Sequence, residues 1–113
     1  MSFLDKTFDD AKKMNDEDLL AFVQTCIDKC EKDLENLQDN NIMREKTRLE
    51  ISALRYNLVC VLETIKEIIK DSEFCHNESF SYRYQVPNFE LIGELNKKIE
   101  RNRSYVYSKL KNC

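Results

Sequence analysis

The run Ile51-Ser52-Ala53-Leu54-Arg55-Tyr56-Asn57-Leu58-Val59-Cys60-Val61-Leu62-Glu63-Thr64-Ile65-Lys66-Glu67-Ile68-Ile69 carries the most regular apolar spacing in the chain. Ile51, Leu54, Leu58, Val61, Ile65 and Ile68 follow one another at intervals of 3, 4, 3, 4 and 3 residues. Such steps return a side chain to the same side of a helix. Leu62 and Ile69 widen the stripe, as suits a helix that packs on two neighbours. Tyr56, Val59 and Cys60 add apolar surface on the flank, and Glu50, Arg55, Glu63, Lys66, Glu67 and Lys70 fill much of the rest. With no Gly or Pro in the run, the spacing predicts one helix over residues 41–71. At about 1.5 Å per residue that helix is a rod of roughly 46 Å. A compact domain of this length is roughly 35 Å across. The expected shape is therefore an elongated bundle, or a helix with one end covered by another chain.

Outward from this rod, Asp39-Asn40-Asn41 reads as a tight polar turn, because Asn tolerates left-handed backbone and caps helices. Before it, Asn15-Asp16-Glu17-Asp18 offers a capping side chain and concentrates negative charge where the helix dipole favours it. A helix over residues 16–38 follows, with a seam of Leu20, Val23, Ile27, Cys30, Leu34 and Leu37 at heptad steps, broadened by Leu19, Phe22 and Cys26. Asp28 and Lys32 are spaced to pair along its surface. So short a turn makes the two helices an antiparallel hairpin. Residues 2–14 form a further short amphipathic helix, with Leu4, Phe8 and Ala11 on one face to dock on the bundle. After the rod, residues 72–87 read as irregular, and within them 80–86 alternate apolar and polar with the period of a strand that has nothing to pair with. The last helix covers residues 88–111, capped by Asn88 after Pro87, with a seam of Ile92, Leu95, Ile99, Asn102 and Val106 and Leu110 one turn on. Gly93 inside it reads as a place of close packing, and Asn102 as a polar residue at an apolar position. The fold class is all-α: a single domain over residues 1–113, an antiparallel helical bundle of three main helices and a short N-terminal one, built on a long hairpin.

Composition agrees. One Gly, one Pro, 35% charged and 42% hydrophobic residues suit a helical domain of 113 residues. The net charge of −3 is unevenly spread: residues 1–40 hold eleven acids and five bases, residues 72–113 five acids and seven bases. The acidic front half argues against wrapping by nucleic acid. The N-terminal residues lack the basic start and apolar core of a signal peptide, and no apolar run approaches the ~20 residues that span a bilayer. The expected location is the cytoplasm, with the five cysteines as reduced thiols. Frequent Asn, Lys, Ile and Glu with rare Ala suit an AT-rich genome, such as that of a low-GC bacterium, a phage or a large DNA virus.

Catalytic groups are sparse. Cys75 and His76 adjoin, but a Cys–His nucleophile needs side chains that converge. Cys26 and Cys30 lie one turn apart, as two zinc ligands on a helix do, with Cys60, Cys75 and His76 to complete a set. Yet Cys30 falls on the seam, where a reduced thiol behaves as a small hydrophobe, so no metal or cofactor is expected. Glu63 and Glu67 are the carboxylates a bundle enzyme would use around a metal. There is no Gly-rich phosphate loop and no His-Glu-x-x-His pattern. The run from Arg101 to Tyr107 resembles in part the Arg-polar-x-x-x-His signature of HEPN-type helical ribonucleases. Val106 stands where that family has its histidine, so the activity is not carried over.

The leading functional expectation is a small non-enzymatic protein that acts by binding another macromolecule, as adaptor, chaperone or inhibitor, and forms homo-oligomers. In a phage or viral setting an inhibitor of a host system fits. The alternative is a helical oligomer that sequesters a nucleotide or other small ligand. Its site would draw on Tyr82, Arg83 and Tyr84 and on Lys97, Lys98, Arg101 and Tyr105, because rings that stack bases and cations that hold phosphates are what such a site requires.

Overall fold

The computed structural model describes residues 11–37, 42–78 and 89–112. Three long helices account for most of them: α1 (Asp16–Asn36), α2 (Ile42–Glu78) and α3 (Phe89–Asn112). A helical segment at 11–13 precedes α1. The protein is an all-α bundle in which α1 and α3 both pack on α2. It measures 65 × 23 × 19 Å. The elongation expected from the length of the central helix is the observed shape.

Local chemistry sets the ends. Asn15 caps α1, its Oδ1 accepting from the Asp18 N–H at 2.8 Å, while Asp16, Glu17 and Asp18 fill the first turn. At the other end the Arg48 guanidinium donates to the Leu37 carbonyl oxygen at 2.8 Å, satisfying an acceptor that the end of α1 leaves without a helical partner. The hairpin register follows from such contacts. Leu37 lies level with Arg48, and Glu31 accepts from Arg55 at 2.9 and 3.1 Å. Asn15, Asp16 and Glu17 share a hollow with Ile69, Ser72 and Glu73. The Glu31–Arg55 pair is exposed on both sides and contributes at most about 1 kcal/mol. Asp28, expected to pair with Lys32, accepts instead from Gln24 at 3.0 Å, one turn back.

The core forms where three helices meet. Leu58, Val61, Leu62, Ile65 and Ile68 of α2 are buried against Leu19, Val23, Cys26, Ile27 and Cys30 of α1 and Ile99, Val106 and Leu110 of α3. Each large side chain so buried stabilises the fold by roughly 1.5–3 kcal/mol. Ala11 is also buried, so the helical segment at 11–13 reaches the bundle; residues 2–10 of the expected N-terminal helix, with Leu4 and Phe8, lie outside the described residues. Toward the hairpin turn burial declines: Ile51, Leu54, Leu34 and Leu37 are only half-buried. The antiparallel α3 explains this. With Lys98 beside Asp71, Leu110 comes level with residue 59, and α3 ends two residues later.

Two expectations are corrected. Residues 72–78 are helical, so α2 runs seven residues past the expected end at Asp71. The apolar stripe explains it: from Ile65 and Ile68 the same steps lead to Ser72 and Cys75, both half-buried. Asp71, the last residue of the expected helix, faces α3, with its Oδ2 3.2 Å from Lys98 Nζ. Gly93 is not a point of close packing, since a Cβ there would have nothing within 4 Å. The turn at 39–41, the cap Asn88 and the alternating segment 80–86 lie outside the described residues.

Candidate functional site

Residues on a helix separated by nine positions point in opposite directions, because nine steps of about 100° amount to half a turn beyond two full ones. Leu58 is fully buried, and Leu49, nine residues earlier, is 63% exposed. Leu49 does not stand alone. Ala53, Tyr56 and Cys60 follow at steps of 4, 3 and 4, with Tyr56 68% exposed, Ala53 exposed and Cys60 half-buried. This second apolar stripe runs along the outward side of α2, away from α1 and α3. From spacing alone Tyr56 and Cys60 read as a flank of the core stripe, and Leu49 belongs to no expected stripe. The half-turn offset was the signal available.

A second apolar surface lies at the far end of α2. Phe74 of α2 and Leu91 and Leu95 of α3 line an open cleft of about 390 Å³, edged by Lys70, Asp71 and Glu73. Phe74, Leu91 and, at the start of α3, Phe89 are exposed.

The third surface holds part of the alternative ligand site. Lys97, Lys98 and Arg101 share an open trough on α3 with Leu91, Glu94, Leu95, Glu100 and Ser104. The three cations are thus brought together, but not equally. Lys98 is engaged with Asp71 in an ion pair that lacks hydrogen-bond geometry. Glu94 and Glu100 offset much of the remaining positive charge. Tyr105 is outside the trough and carries Lys109 Nζ over its ring, 5.7 Å from the centroid. Tyr82, Arg83 and Tyr84 lie outside the described residues.

The remaining candidates for chemistry are dispersed. Cys75 is half-buried and His76 exposed, as adjacent helical residues about 100° apart on the helix should differ. Cys26 and Cys30 are buried and not disulfide-bonded. Burial, with Asp33 nearby, pushes the Cys30 thiol above its ordinary pKa, which makes it a poorer nucleophile and ligand. Glu63 and Glu67 are exposed, and Glu63 pairs with Lys66 at 3.4 Å. No group of three or more His, Cys, Asp or Glu among the described residues is arranged to hold a metal ion. Val106, at the position of the HEPN-type histidine, is buried in the core while Arg101 is exposed, so the two do not share a site. Among the described residues no helix is long and apolar enough to cross a membrane.

A further polar contact joins residues far apart in sequence. Arg103 of α3 grips Asp16 at the start of α1 with two parallel hydrogen bonds, of 2.5 and 2.9 Å. Asp16 was read only as a helix-start charge. The bond raises the Arg103 pKa further, and ties the two outer helices to each other across the bundle. Comparison with known protein families, with curated proteins and with solved structures finds no match to this chain.

Proposed function

We propose that this is a small non-enzymatic interaction protein that binds another protein through the cleft between Phe74 of α2 and Leu91 and Leu95 of α3. The observation that carries the reading is the exposure of Phe74, Leu91 and Phe89 together at one end of a bundle whose core is already filled by other residues. Apolar side chains grouped around an open cleft with charged edges are the usual make-up of a protein contact: anchors in the middle, polar rim around them. An adaptor, a chaperone or an inhibitor would act through such a contact. The test is the native mass of the tagged protein in a lysate of its own cells, for the wild type and for Phe74→Glu. The wild type should run in a complex with a second protein, and Phe74→Glu, at unchanged helix content, should lose it. A wild type at the mass of its own chains alone, or a complex indifferent to Phe74→Glu, would overturn the proposal.

The trough on α3 favours a second reading, the sequestering of an anionic small ligand such as a nucleotide. Lys97 and Arg101 sit in it side by side without ion pairs among the described residues. Calorimetric titration with ATP should show binding that Lys97→Ala/Arg101→Ala abolishes; binding that survives the double substitution removes these residues from the reading.

A further inference from the structure

Beyond the cleft, the outward stripe of α2 calls for an occupant of its own, and its charges indicate which. Lys46 lies three residues before Leu49 and Glu63 three residues after Cys60, both exposed and both on the line of the stripe. The stripe is therefore bounded by a positive charge at one end and a negative charge at the other. Such a pattern is complementary to itself when reversed.

We propose that the protein self-associates through this stripe, two copies of α2 packing antiparallel about a two-fold axis level with residues 54 and 55. In this register Lys46 faces Glu63 of the second copy, Leu49 faces Cys60, and Ala53 faces Tyr56, and each layer recurs by symmetry. The small Ala53 makes room for the Tyr56 ring, and the ring's hydroxyl stays at the wet edge. Other arrangements are worse. A parallel pair would stack Lys46 on Lys46 and Glu63 on Glu63. Sliding the antiparallel pair by one heptad sets Leu49 against Glu67 or Lys46 against Tyr56. The Glu63–Lys66 pair on the same helix is exposed, so Glu63 can exchange partners at little cost. Four apolar layers make a small interface, and the dimer should dissociate on dilution.

Sedimentation of the purified full chain in reducing buffer tests the association. The expected result is a monomer–dimer equilibrium. Leu49→Asp should give monomer alone with the wild-type circular dichroism spectrum. Lys46→Glu should weaken the dimer, and Lys46→Glu/Glu63→Lys should restore it, which a merely structural role for either charge would not do. The register is read from Leu49→Cys: mild oxidation should give a covalent dimer whose peptide map joins position 49 to Cys60. A wild type that is monomeric at every concentration, a Leu49→Asp variant that still dimerises, or a disulfide joining position 49 to position 49 would overturn the proposal. Phe74→Glu should leave the dimer intact. Loss of the cellular complex and loss of the dimer are thus separate results, and either proposal can fail alone.

Discussion

The inner and outer sides of α2 carry stripes of similar spacing and have opposite fates. On the inner side Leu58, Val61, Ile65 and Ile68 are sealed by two neighbouring helices. On the outer side Leu49, Ala53, Tyr56 and Cys60 repeat the same steps with neither α1 nor α3 over them. Periodicity thus shows which residues share a side of a helix, and not whether that side is covered. What distinguishes the two is the company they keep. The inner stripe is wider, continuous over many turns, and matched by seams on α1 and α3. The outer one is four residues long and closed off by charges.

The comparison can be broken most forcefully by deleting the same side-chain atoms on each side. Leu58→Ala should cost about 2–5 kcal/mol of stability in chemical denaturation, because it opens a cavity in a packed core. Leu49→Ala should fall within about 0.5 kcal/mol of the wild type in dilute solution, as surface changes do. Similar losses at the two positions would mean that the two sides are not different in kind.

The next effect concerns what keeps the inner side closed. Arg103→Ala removes the direct bond between α1 and α3 and leaves the Asp16 carboxylate partly buried without its partner. Urea denaturation should show a loss of about 1–2 kcal/mol, reduced from the buried value because both side chains keep some solvent. An unchanged midpoint would show that packing on α2 alone holds the outer helices in place.

A gain is expected from Asn102. Its Nδ2 is buried without a hydrogen-bond partner in the seam of α3, at the polar position that the sequence singled out. Asn102→Leu should stabilise the protein by about 1 kcal/mol in the same assay, since an unmade hydrogen bond is removed and apolar surface added. A loss would mean that the amide makes a contact that the packing requires.

The smallest effect is in alkali. The Cys30 thiol, on the inner side, is shifted upward by burial, so the folded protein holds that proton more tightly than the unfolded chain does. Its contribution is complete below the unfolded pKa of about 8.5 and is lost as the pH rises through the higher folded value. Stability measured from pH 7 to 10 should therefore fall more steeply for the wild type than for Cys30→Val. Parallel curves would show that the thiol does not titrate with unfolding.

Much of this architecture was legible in the residues. The helices, the cap at Asn15 and the inner stripe followed from local rules: spacing, capping and the near absence of Gly and Pro. The inner residues Leu58, Ile65 and Val106 were on the expected seams. What was not legible depended on partners far away in sequence. Asp71 and Ser72 look like the end of a helix until Lys98 and the continuing stripe to Cys75 are placed beside them. Asp16 looks like a cap charge until Arg103 arrives from α3. The outer stripe was hidden because Tyr56 and Cys60 read as a widening of the core, and only the course of α1 and α3 shows that they face away. Of the candidate site, the grouping of Lys97, Lys98 and Arg101 on one helix was readable from spacing. The commitment of Lys98 to Asp71 and of Tyr105 to Lys109 was not.

The most direct test places a charge on each side of α2. Far-ultraviolet circular dichroism with a thermal melt should be recorded for Leu58→Asp and Leu49→Asp beside the wild type, at a concentration low enough to keep all three monomeric. The account predicts that Leu58→Asp is unfolded, because an unpaired carboxylate cannot be buried at that position, and that Leu49→Asp keeps the wild-type spectrum and midpoint. A folded Leu58→Asp, or a Leu49→Asp that melts early, would contradict the assignment of one side of α2 to the core and the other to association.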